Sequence, residues 1–326
     1  MVRPGLIPVS FGGLRMNRFV LHHYPQSPFA EKGRLLLGFK GLEWNSVTVP
    51  TVMPKPDLAT LTGGYRRTPV LQCGADIYCD TAMIARRLER AKPDPALFPA
   101  GLEAAAAAMA QFADQVMFQH AVALNFQPAS MAARFANTPQ ETVQAFFNDR
   151  KALFSGGNAS RIDLPIAISQ WPTLLARIET QLDHGRDFLL GDRACIADIA
   201  HYHPLWFVAN NSHVAVTLEP FPALRAWMAR VAAIGHGKPR AIESGDAVKM
   251  AAAAMPDPIS DNGYVDGNGF RAGMPVSIAA TDYGVEPVTG TLAWHDAEEI
   301  VLGREDARAG TVHVHFPRMG FRITAI

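Results

Sequence analysis

The stretch Ser27-Pro28-Phe29-Ala30-Glu31-Lys32-Gly33-Arg34-Leu35-Leu36-Leu37-Gly38-Phe39-Lys40-Gly41 fixes the first element boundary of the chain. A proline at the first helical position lacks only an N–H that would be unpaired there anyway, so Ser27 reads as an N-cap. Leu35, Leu36, Leu37 and Phe39 then predict a helix over Ala30 to Lys40, with Gly41 able to end it. Upstream, Arg18 to His23 contains the run Phe19-Val20-Leu21, which suits a buried strand. Ser27 therefore stands at a strand-to-helix junction. Its hydroxyl either merely caps the helix or also serves a ligand.

Working outward, Trp44 to Val49 reads as a second strand, and the Pro- and Gly-rich stretch Pro50 to Tyr65 as loop or broken helix. Val70 to Cys73 and Asp76 to Tyr78 form a hairpin turned at Gly74. Asp80 and Thr81 cap a helix whose apolar face includes Ile84 and Leu88. The resulting order, β-α-β-(loop)-β-β-α, is an α/β thioredoxin-like layout over residues 18–98. Residues 102–243 read as an all-α domain: Ala104 to Ala108 is an alanine run, Leu174, Leu175, Ile178 and Leu182 share a face, and so do Leu224, Trp227, Met228 and Val231. Beyond Gly245 the Pro- and Gly-rich composition predicts a linker. Residues 258–326 alternate with period two, as in Val312, Val314 and Phe316, and predict a small all-β module, antiparallel and a candidate open barrel. Residues 1 to 15 read as an unstructured extension.

With 30 Lys plus Arg against 30 Asp plus Glu, no global field favours nucleic acid or an anionic membrane. No window approaches the ~20 apolar residues of a spanning helix. Cys73, Cys79 and Cys195 match neither a disulfide framework nor a zinc set, so the expectation is a cytoplasmic protein without metal. His313 and His315, with His295, read as a solvated strand face rather than a metal site, because no further ligand completes the set.

The chemistry-bearing positions cluster around the hairpin. Thr68-Pro69 places a proline at a strand start, where a cis bond would turn the backbone groups of Thr68 outward to pair with an extended peptide. Asp80-Thr81 offers an acid for an ammonium, plus a hydroxyl and helix N-terminal N–H groups for a carboxylate. Arg66 and Arg67 add positive charge. Together these suit a short anionic peptide with one free amine.

The order SPFAEKGRLLLGFKGL, then TPVL, then YCDTAMIARRLE resembles the N-terminal domain of cytosolic glutathione transferases, particularly their serine-using and proteobacterial members. Leu190 to Asp198 resembles the capping box of that family's helical domain, and Phe221-Pro222-Ala223-Leu224-Arg225-Ala226-Trp227 its closing helix. The resemblance covers roughly 225 residues. It implies glutathione as co-substrate, Ser27 as the group that activates its thiol, and Arg67, Thr68, Pro69, Asp80 and Thr81 as glutathione-binding residues. Arg66 is an alternative to Arg67, and Tyr24 a rival to Ser27. It further implies a homodimer and a small hydrophobic electrophile as second substrate; Phe112, Met117, Phe118 and Phe126 offer apolar surface after Gly101, with helix-packing core an at least equal reading of them. Cys195 departs from the pattern: a thiol stands where the cap usually has Ser or Thr, which weakens that cap by about 1 kcal/mol. A non-catalytic binding or scaffold protein, or a glutathione-dependent isomerase or dehalogenase, remain alternatives.

Overall fold

The computed structural model describes residues 19–159, 161–259 and 263–326. The expectation for residues 1 to 15 lies outside them. The first unit follows the expected order: β1 (Phe19–His23), α1 (Pro28–Phe39), β2 (Glu43–Thr48), α2 (Pro56–Thr62), β3 (Val70–Cys73), β4 (Asp76–Cys79) and α3 (Thr81–Ala91). β1 pairs parallel with β2 and antiparallel with β3, which pairs antiparallel with β4. Strand alternation divides the side chains between two cores. Phe19 and Leu21 enter the one shared with the helical domain, and Val20 enters the one on the opposite face.

The helical domain comprises α4 (Glu103–Phe112), a π turn (Ala113–Met117), α5 (Phe118–Asn125), α6 (Pro128–Arg134), α7 (Gln140–Leu153), α8 (Leu164–Asp183), α9 (Ile196–Ala209), α10 (Ser212–Ala215), a 3-10 turn (Val216–Leu218) and α11 (Pro222–Ala232). The predicted stripes are core: Leu174, Leu175 and Ile178 of α8 and Leu224, Trp227 and Val231 of α11 are all buried there. At the start of α9 the buried Asp198 carboxylate accepts from Cys195 N at 2.9 Å, Leu189 N at 2.8 Å and Trp227 Nε1 at 2.9 Å. The acid half of the capping box is thus complete although a thiol occupies the cap.

The chain then returns to the sheet. β5 (Lys238–Ala241) pairs parallel with β2 at the far edge. The close approach that allows this requires a glycine in α1: a Cβ on Gly38 would lie 1.9 Å from the Gly235 carbonyl oxygen. Where the composition predicted a linker, residues 244–252 form a helix, α12 (Ser244–Ala252). Its Ala247, Val248 and Ala251 are buried in the second core, and Gln72 Nε2 donates to Ala247 O at 2.8 Å. Packing against the sheet outweighs the weak local signal of so short a helix.

The tail forms β6 (Pro275–Ala280), β7 (Val288–His295), β8 (Glu299–Asp306), β9 (Gly310–Pro317) and β10 (Phe321–Ala325). These strands are antiparallel to one another, as their alternation predicts. They do not close into a barrel. β9 pairs parallel with β4, giving one ten-stranded sheet in the order β10-β6-β7-β8-β9-β4-β3-β1-β2-β5. The reason is the edge of β4, whose outward N–H and C=O groups need partners that β9 provides.

The seam between β4 and β9 buries His315, so the expected solvated face is not observed there. Val312, Val314 and Phe316 fill the second core, which turns His315 toward α3. Its Nδ1 bonds Glu299 Oε1 at 2.6 Å, its Nε2 bonds Asp76 Oδ1 at 2.9 Å, and its ring stacks on Tyr78 at 4.2 Å. Arg90 also holds Glu299 at 2.7 Å, and His313 lies 3.9 Å from Asp76. Burial alone lowers the basicity of His315, but its bonds to Asp76 and Glu299 and their charges outweigh it and raise the pKa above 6.5. Burial pushes Glu299 up, but His315 and Arg90 outweigh it and hold its pKa at about 2.

A raised histidine contributes stability fully below its unfolded pKa and loses it as pH rises through the folded value; a depressed carboxylate contributes above its unfolded pKa and loses it on acidification. The seam is therefore strongest between the ordinary carboxylate range and the ordinary histidine value of 6.5, and weakens as pH rises toward the elevated one. His315→Gln should cost about 3 kcal/mol at pH 6. Thermal melting across pH should show the gap between wild type and variant narrowing above neutrality.

Candidate functional site

A cavity of about 810 Å³ opens between the N-terminus of α3, the α4 face, α1 and the tail, within the size range of small-ligand sites. Arg67, Thr68, Pro69, Asp80 and Thr81 all line it. Five of the six residues marked from sequence therefore converge on one space, although Arg67 to Thr81 span two strands and a turn. The Thr68–Pro69 bond is cis, as its position suggested. Thr68 Oγ1 accepts from Lys55 Nζ at 2.8 Å. Burial, followed by the charge of Arg150, lowers the Lys55 pKa to about 8.

Asp80 caps α3 and accepts from Ala82 N at 2.9 Å. Its φ of 76° is the only positive value at a non-glycine position among the described residues, a conformation held against local strain and common at functional sites. Burial raises its pKa against the opposing Ala82 N–H and Arg67.

Ser27 stands two residues before Phe29, at the strand-to-helix junction. It is buried at the start of α1, and its Oγ accepts from Ala30 N at 3.1 Å, as an N-cap does. It is not among the residues lining the cavity; Phe29, two positions on, is. Tyr24 does not line it either: its hydroxyl accepts from Arg150 Nη2 at 3.4 Å. Arg66 is committed to Asp149 at 2.8 Å and Glu286 at 2.7 Å.

Phe112, Met117, Phe118 and Phe126, read either as electrophile surface or as helix-packing core, do not line the cavity. Phe112 and Met117 border a separate cleft of about 320 Å³, Phe118 packs against Phe29 and His203, and Phe126 packs against Phe146 and Phe207. The α4 side of the cavity instead presents Ala104, Ala107, Ala108, Gln111 and Gln115, with Phe29 and Phe98 as its aromatic surface.

Lys32 and Asp114 line the cavity and were missed. Lys32 is 1% exposed and binds Asp114 Oδ2 at 2.6 Å, while His203 Nε2 bonds Asp114 Oδ1 at 2.9 Å. Burial would raise the Asp114 pKa, but Lys32 and His203 outweigh it and lower it. Asp114 belongs to the π turn that interrupts the α4–α5 helix, a distortion often found at functional sites. One signal was available: Lys32 falls at helical spacing between Phe29 and Leu36, and a charge on a buried stripe demands a partner. Nothing local in the sequence says which residue that partner is.

The tail supplies the remaining wall through Thr281, Asp282, Tyr283, Glu298 and Phe321. The connection between α7 and α8 ties down the loop that carries the first three: Asn158 N donates to Thr281 O at 2.9 Å and Ala159 N to Asp282 O at 3.0 Å.

Comparison with known proteins gives consistent results. Residues 21–96 match the family described as glutathione S-transferase, N-terminal domain, and residues 134–234 match glutathione S-transferase, C-terminal domain. A crystal structure of a GST-like protein from Pseudomonas syringae is 46% identical with a TM-score of 0.81, covering 95% of this chain and 100% of that one. Coverage of that extent includes the C-terminal strands. Two more distant structures show the shared fold alone. Glutathione S-transferase III in its apo form is 20% identical, TM-score 0.51, over 74% of this chain and 99% of its own. The β-etherase LigF of Sphingobium sp. strain SYK-6 is 17% identical, TM-score 0.50, over 66% and 95%. No curated protein sequence matches the chain.

Asp114→Asn leaves the Lys32 ammonium buried beside a neutral amide and should cost about 3 kcal/mol in chemical denaturation. Lys32→Met combined with Asp114→Asn should recover most of that loss, because no uncompensated charge remains.

Proposed function

Because this chain belongs to the glutathione S-transferase family, we propose that it binds glutathione in the cavity beside Thr68–Pro69 and presents the thiol to a small electrophile. The observation that carries this reading is the convergence of Arg67, Thr68, Pro69, Asp80 and Thr81 on one wall. In this reading the outward backbone of Thr68 pairs with the cysteinyl residue. The Asp80 carboxylate takes the γ-glutamyl ammonium, and Thr81 with the α3 N-terminus takes its carboxylate.

Ser27 is assigned as the group that stabilises the thiolate. Its Oγ already accepts the Ala30 N–H, which leaves its own O–H proton free to donate. A glutathione thiol of pKa ~8.5 is only a few per cent ionised at neutral pH. A hydroxyl donor at a helix N-terminus favours the charged form, and a shift of about one to two units makes thiolate dominant. Ser27 then acts as a hydrogen-bond donor, and the attacking atom is the ligand's sulfur. Phe29, Phe98 and the alanine face of α4 offer the electrophile its surface. Family membership supports a homodimer, and three free buried cysteines support a cytoplasmic setting.

A second reading, a binding protein of this fold without turnover, is favoured by one fact: neither Ser27 nor Tyr24 lines the cavity. Ultraviolet titration of bound glutathione separates the two. Ser27→Ala should raise the apparent pKa of the bound thiol by about one to two units and lower turnover of a chloronitrobenzene ~10- to 100-fold at neutral pH. Ser27→Thr should restore both. Since the alanine also removes a helix cap worth about 1 kcal/mol, the threonine separates chemistry from stability. Glutathione binding with no thiolate signal and no turnover in the native protein would establish the second reading.

A further inference from the structure

Every cation on the cavity wall already has an anion. Lys32 is held by Asp114 at 2.6 Å. Arg67 Nη2 donates to Asp282 Oδ1 and to the Tyr283 carbonyl, with the Tyr283 ring centroid 4.0 Å from its guanidinium carbon. Arg86 pairs with Glu298. The fourth acid of the wall, Asp80, has no cation within ion-pairing distance among the described residues and accepts the Ala82 N–H. Three cations thus face four carboxylates.

Two of those carboxylates, Asp282 and Glu298, belong to the C-terminal strands and their loops. The first two domains alone would present three cations against two acids, a wall suited to an anionic peptide. The added sheet reverses the sign. The Arg67 contact is also firmly built: its side chain is 12% exposed, and the loop carrying Asp282 is fixed by Asn158, Ala159 and a bond from Gly284 N to Leu153 O at 2.7 Å.

We propose that the C-terminal extension sets the ligand charge this site accepts: Asp282 and Glu298 occupy Arg67 and Arg86, so the cavity favours a glutathione-type thiol whose C-terminal carboxylate is masked, as an ester or amide, over free glutathione. The proposal rests on the glutathione reading above. Glutathione carries one ammonium and two carboxylates. Asp80 and the α3 N-terminus serve the γ-glutamyl end, and every cation on the wall that could meet the remaining carboxylate is already held by an anion. Masking it removes the need for a cation. Asp282 and Glu298 are therefore specificity determinants that act by repelling the wrong charge.

Isothermal titration calorimetry with free glutathione and with its glycyl monoethyl ester tests this. The native protein should bind the ester roughly two- to fivefold more tightly, the size of one partly exposed charge contact. Asp282→Asn and, separately, Glu298→Gln should each strengthen binding of free glutathione by a similar factor and erase the preference. Raising KCl should also strengthen free glutathione binding to the native protein, because screening weakens a net repulsion. That arm needs no variant, so it decides the matter even if Asp282→Asn fails to fold. Tighter binding of free glutathione than of the ester, equal binding of both, or weakening by salt overturns the proposal while leaving the glutathione reading in place. No binding of either ligand removes both.

Discussion

The open edge of β4 is the constraint on which the rest of the molecule depends. In the four-stranded unit formed by β2, β1, β3 and β4, the last strand has a partner on one side only, and its outward backbone groups must be satisfied or shielded. β9 meets that demand by parallel pairing. It brings β8, β7, β6 and β10 with it, and so carries the β6–β7, β7–β8 and β9–β10 loops to the cavity. The second core, in which Val312, Val314 and Phe316 lie with Val20, Val70 and Ile77, holds the arrangement from below. The chemistry available to a ligand is thus a consequence of how a sheet edge is covered.

Much of the first two domains could be read from the chain, because the decisive signals are local. Ser27-Pro28 marks a helix start whatever surrounds it, Asp80-Thr81 does the same, and the stripes of α8 and α11 need only a period of 3.6. The placement of the tail was not legible for the opposite reason. Alternation in residues 312–316 says that a strand has an inner and an outer face, but not which edge it pairs with. β5 carries no alternating apolar pattern at all: Lys238, Pro239, Arg240 and Ala241 are exposed and read as loop. For the site, spacing located the wall formed by Arg67 to Thr81. It could not locate Asp114 or Asp282, whose partners lie 82 and 215 residues away in sequence. It also could not say that Ser27, correctly read as a cap, stands outside the cavity's lining.

The charges around the cavity are arranged as pairs rather than as a field. Lys32 with Asp114 joins α1 to the π turn, so the two domains share a buried ion pair as well as an apolar core. Arg67 with Asp282 and Arg86 with Glu298 join the N-terminal domain to the tail. For the buried Lys32–Asp114 pair desolvation cancels much of the attraction, so its worth is more in what it excludes than in net stability. Each pair ties one wall to another, so a ligand that disturbs a pair also loosens a contact between elements.

The ordering of the strands has a further consequence for how the protein is made. Both outermost positions beside the thioredoxin-like strands are filled by segments that follow the helical domain in the chain, β5 on one side and β9 on the other. During synthesis the central strands have two bare edges until Lys238–Ala241 emerges, and the β4 edge stays bare until Gly310–Pro317 follows. Such edges recruit strands from other chains. A nascent or truncated form ending near Ala241 is therefore a sticky intermediate with its β4 flank uncovered, and the arrival of β9 is the event that seals it.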